Sequence, residues 1–277
     1  MLIRCWGSRG SIPVCGRDYI KYGGDTTCIE VRGSKGELII IDAGTGIRRL
    51  GARLVDEGVS AIHILLTHSH WDHLLGFPFF KPLYVDSSKI HVYGYYATQD
   101  SVRNIISKTM RPPYFPVRLD DIHAEINFHT TEPEGFHIGS ILVKTIPLNH
   151  TNRGVGYRLE EEGRSFVFLT DNELNYNHPC GLSYEEYERF SAGADLLFHD
   201  AEYTPSDYMP GWGHSIYTDA LRLAIRSGVK KFGLFHHNQE RKDDEIDSMV
   251  ADCRRMLEEE GSTLDVFAVA TDMEVTL

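Results

Sequence analysis

Apolar positions fall in short, almost unbroken runs at 38–41, 62–66, 90–92, 141–143, 166–169, 196–198, 232–235 and 266–270. The runs are rich in β-branched and aromatic residues and are bounded by polar residues or turn formers, the pattern of buried strands. Between several of them the apolar spacing is that of amphipathic helices, at 45–57, 99–108, 184–191, 215–227 and 243–260, each long enough to cover a sheet face. Gly58, Gly193, Gly228 and Gly261 stand where those helices should stop. Strands come singly and in hairpin-like groups, which predicts an α/β fold with two central sheets and helices outside rather than a simple doubly wound sheet. No internal repeat or low-complexity linker divides the chain, so one domain over residues 1–277 is expected. The irregular stretch 110–116, rich in proline and aromatic residues, lines a pocket or crosses the surface, and the surface is the simpler expectation.

Composition narrows the class. With 277 residues and 42% hydrophobic content the chain can bury one large core or two small ones, and a charged fraction of 25% is that of a globular protein. No stretch approaches the roughly 20 apolar residues of a membrane-spanning helix, and no secretory core follows the first residues, so a cytoplasmic location and no membrane partner are expected. Cys5, Cys15, Cys28, Cys180 and Cys253 lack the close spacing of a zinc knuckle or redox pair, which predicts free thiols. A net charge of −12 works against tight, salt-sensitive binding to a polyanion.

The strongest chemical signal is His68, His70, Asp72 and His73, placed directly after the apolar run 62–66. In an extended segment His68 and His70 point to the same side, while Asp72 and His73, entering a helix, can face a second point a few ångströms away. Neutral imidazoles and carboxylates suit borderline divalent cations such as zinc, manganese or iron, and a shared carboxylate can bridge two of them. Structural zinc would favour thiolates, which this run lacks.

The run resembles the second motif of the metallo-β-lactamase superfamily, whose fold is a four-layer αββα sandwich. Asp42, after the run 38–41, matches the aspartate that supports the metal ligands; it also reads as a helix N-cap. His150, Asp171 and His236 match the remaining ligand motifs. The resemblance implies that His68, His70, His150 and Asp171 hold one divalent metal ion and that Asp72, His73, Asp171 and His236 hold a second, with zinc ahead of manganese and iron. His237 competes with His236, which is preferred because the apolar run ends immediately before it.

Two metals bridged by a hydroxide imply a hydrolase, but the superfamily includes lactamases, lactonases, thioesterases and phosphodiesterases. The stretches around Asp200 and His214 resemble two motifs of the ribonuclease Z and related phosphodiesterase branch, as do the glycine-rich segments 7–13 and 22–28. His214 then implies a general acid, with Asp200 or Glu202 as the carboxylate that orients it, Ser215 as the cap of the following helix, and His199 packed below the site. Asp72, His214 and Asp200 are the expected catalytic residues. Ribonuclease Z inserts a long tRNA-gripping arm between its third and fourth ligand motifs, whereas a short hairpin joins His150 to Asp171 here. The expected substrate is therefore a small phosphodiester, a cyclic nucleotide among the candidates; an RNA-processing nuclease without the arm and a lactonase or thioesterase are the alternatives. Relatives in this branch often dimerise, which admits a homodimer.

Overall fold

The apolar runs form strands because both of their faces are covered. The computed structural model describes every residue except 96–100, 132–133 and 180, so Cys180 and the expected helix start at residue 99 lie outside the described residues. The first half contains β1 (Leu2–Gly7), β2 (Cys28–Arg32), β3 (Leu38–Ile41), α1 (Ile47–Asp56), β4 (Ala61–Leu65), α2 (Trp71–Leu74), β5 (Lys89–Tyr95), α3 (Val102–Thr109) and β6 (Glu125–Thr131). The second contains β7 (Phe136–Ile138), β8 (Ile141–Leu148), β9 (Gly154–Glu161), β10 (Arg164–Leu169), α4 (Tyr184–Ser191), β11 (Leu196–Asp200), α5 (Tyr217–Ser227), β12 (Lys231–Phe235), α6 (Asp243–Glu260) and β13 (Asp265–Ala268). The last strand, β14 (Glu274–Thr276), crosses back to pair with β1.

Among the described residues these strands build two seven-stranded sheets, ordered β14-β1-β2-β3-β4-β5-β6 and β13-β12-β11-β10-β9-β8-β7. Alternation along each buried strand assigns its side chains to layers. Ile39 and Ile41 of β3 meet Phe166 and Phe168 of β10 in the core between the sheets. Leu38 and Ile40 point the other way into the core under α1 and α3, and Val167 and Leu169 point into the core under α4, α5 and α6. Three apolar cores thus separate four layers, the αββα sandwich that the resemblance implies. Each fully buried Ile or Phe contributes about 1.5–3 kcal/mol relative to an exposed one.

The strands not evident from apolar runs are β1, β2, β6, β7, β9 and β14, which carry charged, glycine or polar residues at alternate positions. Gly228 and Gly261 do end α5 and α6, each in the left-handed conformation that glycine adopts without a Cβ clash. Two capping expectations are overturned. Helix α1 starts at Ile47 with Gly46 as its N-cap, because the Asp42 carboxylate is occupied by Thr67 and His73. Helix α5 starts at Tyr217 after Ile216, because the Ser215 hydroxyl donates to the Asn172 carbonyl instead of capping the helix. In the stretch 110–116, Met110 is buried while Arg111, Pro112, Pro113 and Tyr114 are exposed, so the segment crosses the surface from a buried anchor, and there it lines an open cavity together with Ser107 and Arg118. Cys5, Cys15, Cys28 and Cys253 are free. No helix among the described residues is long and apolar enough to cross a membrane.

What positions chemistry in this fold is strand direction. Strands β3 to β6 are mutually parallel, as are β10 to β13, so helices must carry the chain back each time. Segments leaving the carboxyl ends of parallel strands are free to turn toward a common crevice. Here those ends carry Asp42, His68, Asp171, Asp200 and His236.

Candidate metal centre

Asp42, Asp171 and His236 each follow the last residues of a buried strand and each has a positive φ, of 62°, 50° and 58°. Non-glycine residues rarely adopt this conformation, which costs on the order of 1–3 kcal/mol. Here it swings a side chain out of the strand's alternation. His70 is the N-cap of α2, so Asp72 and His73 enter the site from the first turn of that short helix.

The structure brings together the sequence-predicted set. Ligand atoms of His68, His70, His150 and Asp171 lie within 4.8 Å of one another, as do those of Asp72, His73, Asp171 and His236. Asp171 belongs to both groups, with Oδ2 3.5 Å from His68 and Oδ1 3.3 Å from both His73 and His236. His237 lies outside the cluster, its Nε2 donating to the Val269 carbonyl at 2.8 Å.

The tautomers test whether this set fits divalent ions. His73 Nδ1 donates to Asp42 Oδ2 at 2.7 Å, His150 Nδ1 to the Gly213 carbonyl at 2.9 Å, and His236 Nδ1 to Glu202 Oε2 at 3.0 Å. Each ring therefore spends its N–H on the outside and turns its other nitrogen inward. His236 Nε2 then faces Asp72 Oδ2 at 3.2 Å, His73 Nε2 faces the same oxygen at 3.1 Å, and the buried Nε2 atoms of His68 and His73 have no hydrogen-bond partner. Lone pairs on neutral imidazoles crowded against carboxylate oxygens repel unless cations stand between them, so the donor set fits metal ions. Burial helps keep the imidazoles of His68 and His150 neutral, the latter's pKa pushed down to about 3. Without an ion, protons take its place. Burial disfavours charge on His73 and His236, yet Asp171 and the neighbouring carboxylates outweigh it and raise both pKa values well above the ordinary value.

Beside the cluster stands His214. Its Nδ1 pairs with Asp200 Oδ2 at 2.7 Å and lies 3.3 Å from Glu202 Oε2, so both candidate carboxylates reach it. Glu202 also joins His214 to His236, while Asp200 Oδ1 accepts from the Glu202 and Ser215 backbone N–H groups. The His214 ring stacks on His236 at 4.8 Å and meets His150 edge-on at 5.2 Å. Burial disfavours its charged form, but Glu202 and Asp200 overcome this and raise its pKa to about 9. His199 is buried away from the cluster, bonded to Asn172 and the Asp200 carbonyl.

These features can be set beside known proteins. A family model described as a beta-lactamase superfamily domain matches residues 38–237, which span the site from just before Asp42 to just after His236. The chain belongs to this superfamily. Ribonuclease Z of Thermococcus kodakarensis is 28% identical over 248 residues, covering 73% of this chain and 75% of that protein. The metallo-beta-lactamase fold protein YhfI of Bacillus subtilis superposes with a TM-score of 0.72 at 15% identity, covering 99% of this chain and 98% of the other. The short form of human tRNase Z superposes with a TM-score of 0.66 at 20% identity, covering 100% and 99%. As superfamily members go, the architecture is shared across nearly the whole chain.

The roles of several supporting residues escape a reading of motifs. Thr67 donates its hydroxyl to Asp42 Oδ2, and the Ser11 N–H donates to Asp72 Oδ2 at 2.9 Å. Gly10 is needed less for a turn than for space, since a Cβ there would lie 2.4 Å from the His236 ring. Gly213 is needed for both, with a φ of 92° and a Cβ position falling 2.1 Å from His150 Nδ1. Glu173, buried two residues after Asp171, carries no motif of its own. Its position within two residues of a ligand candidate is the one signal that could have drawn attention to it.

Proposed function

We propose that this protein is a metal-dependent phosphodiesterase acting on a small or cyclic phosphodiester, with His68, His70, His150 and Asp171 holding one divalent ion and Asp72, His73, Asp171 and His236 the other. Bound divalent ions supply Lewis acidity and a nucleophile at neutral pH. The observation that carries the choice of reaction is His214, a buried imidazole whose Nδ1 is held by Asp200 at 2.7 Å and lies 3.3 Å from Glu202, beside the metal cluster.

Cleaving a P–O bond to an alkyl group leaves a poor alkoxide, which departs readily only if it receives a proton. His214 Nδ1–H is tied to Asp200, which leaves Nε2–H as the proton to deliver to that oxygen. Asp200 fixes the ring, and Glu202 adds negative charge that favours its protonated form. The relatives named ribonuclease Z support a phosphodiester as the scissile group. A small substrate is supported by the connection between His150 and Asp171, where β9 and β10 are joined by the turn through Glu162 and Gly163 with no inserted arm, and by the net charge of −12.

Protein loaded with zinc or manganese is expected to hydrolyse bis(p-nitrophenyl) phosphate and at least one 3′,5′-cyclic nucleotide. His214→Ala should lower the rate on the cyclic nucleotide by ~10²–10⁴-fold and on the activated nitrophenyl diester far less. Inactivity of the loaded wild-type protein on both would overturn this reading. The ribonuclease Z relatives favour one alternative, an RNA-processing endonuclease. Cleavage of a precursor tRNA 3′ trailer that weakens steeply with added salt, without cyclic-nucleotide hydrolysis, would put that reading in its place.

A further inference from the structure

Glu173 is a fully buried carboxylate, and three of its four side-chain hydrogen bonds converge on one irregular segment. Its Oε1 accepts from the Tyr208 hydroxyl at 2.6 Å and the Gly211 N–H at 2.8 Å. Its Oε2 accepts from the Gly213 N–H at 2.7 Å and from His178 Nε2 at 2.8 Å. Residues 205–214 contain no helix or strand, and this carboxylate satisfies the Gly211 and Gly213 N–H groups that no ladder partner takes up.

What the segment carries explains why its placement matters. The Gly213 carbonyl accepts the Nδ1–H of His150 and so dictates which nitrogen of that ring faces the cluster. The next residue is His214. Glu173 is itself fixed by its own backbone N–H, which donates to the Asn149 carbonyl beside His150, and by chain connectivity to Asp171. Through its backbone and its side chain, this one residue ties together the segments bearing Asp171, His150 and His214.

We propose that Glu173 is a positioning residue, a latch that holds residues 208–213 against the centre so that His150 keeps its metal-facing tautomer and His214 its place beside the leaving group. The kinetic consequence rests on the phosphodiesterase reading; the latch itself does not. All its partners are donors, and the N–H groups of Gly211 and Gly213 cannot reverse their roles as a hydroxyl or imidazole can. A glutamine here must turn an amide NH₂ toward one of those N–H groups, which breaks one side of the latch while preserving shape and volume. A charge-assisted bond to an amide N–H is among the stronger hydrogen bonds, so the loss is felt even though the site remains filled.

The test uses the full chain, metal-loaded, as wild type, Glu173→Gln and Tyr208→Phe, the last removing a single donor in case the glutamine variant fails to fold. Hydrogen exchange at the Gly211 and Gly213 amides should accelerate by about 10–100-fold in Glu173→Gln, and less in Tyr208→Phe, while β12 exchanges as in wild type. In the same proteins the rate on 3′,5′-cyclic AMP should fall by about 10–100-fold in Glu173→Gln, whereas the rate on bis(p-nitrophenyl) phosphate, whose leaving group needs no proton, should fall by only a few-fold. Unchanged exchange at Gly211 and Gly213 in the variants overturns the latch, as does an equal fall on both diesters, which would mark Glu173 as general structural support. If the wild-type protein hydrolyses neither diester, the phosphodiesterase reading fails, and the exchange measurement still decides the latch.

Discussion

The side chains of the centre are held by hydrogen bonds on their far sides, and Asp42 shows how. It spends one oxygen on the Thr67 N–H at 2.7 Å and the other on both the Thr67 hydroxyl and His73 Nδ1. Removing it frees the His73 ring to rotate or change tautomer. Asp42→Ala is therefore expected to weaken divalent-ion binding at the His73 side by about 10–100-fold, measured by competition with a chromophoric chelator, and unchanged affinity would refute the role. At this scale the sequence is informative where chemistry restricts residue type. The cluster His68 to His73 is conspicuous on that ground alone, whereas His150, Asp171, His214 and His236 could be named in advance only through the family resemblance, since a lone histidine or carboxylate at a strand end carries little signal. Thr67 and Glu173 could not, and Gly10 and Gly213 stood in matched motifs without their contacts to His236 and His150 being foreseen, because such roles depend on which neighbour happens to face them. Ser215 is the instructive error: a serine ahead of a helical pattern suggests a cap, but its hydroxyl finds the Asn172 carbonyl first.

Strands and helices were legible in proportion to their burial. Strands β3, β10 and β12 have apolar cores on both faces and appear as unbroken apolar runs. Strand β6, at the end of its sheet, and β9, with two glycines and three charged residues, give no such run although they pair over long registers. The same sheet holds an apparent misfit. His63 of β4 stacks on His91 of β5 at 4.8 Å, and His91 Nδ1 lies 2.9 Å from His129 Nε2 of β6. These rings lie on the face opposite Ile62, Ile64, Ile90 and Val92. Burial, with His91 and His129 nearby, lowers the pKa of His63 from 6.5 to about 4. A group whose pKa is depressed by folding binds its proton more readily when unfolded, so stability is full above pH 6.5 and is lost as pH falls from there toward 4. Because the ring is partly exposed, solvent screening limits the effect to about 1 kcal/mol. Urea unfolding of metal-free protein at pH 7.5 and 4.5 should show this loss, and His63→Gln should reduce it; identical pH dependence in the two proteins would discount His63.

For the molecule as a whole, the centre lies where the carboxyl ends of two sheets meet. Asp42, His68 and His73 come from the sheet containing β3 and β4, whereas His150, Asp171 and His236 come from the sheet containing β8, β10 and β12. Ions held there would link the two halves of the sandwich and favour the native state, stabilising it in proportion to the logarithm of their concentration over the dissociation constant. At a thousandfold excess this is about 4 kcal/mol. Removing metal with a chelator is expected to lower the melting temperature, and readdition of zinc or manganese should restore it; a melting temperature indifferent to metal would separate the centre from stability.

The sequence by itself determined the two-sheet α/β architecture, the strand ends that bear chemistry and the residue types available for metal ions, because strand burial and ligand chemistry both leave periodic or compositional marks on a chain. Only the tertiary structure decided that His237 turns away to the Val269 carbonyl, that Asp200 and Glu202 share His214, and that Glu173 holds the segment leading to it. Those outcomes depend on which donors and acceptors meet across segments remote in sequence, and such pairings have no signature until the chain has folded.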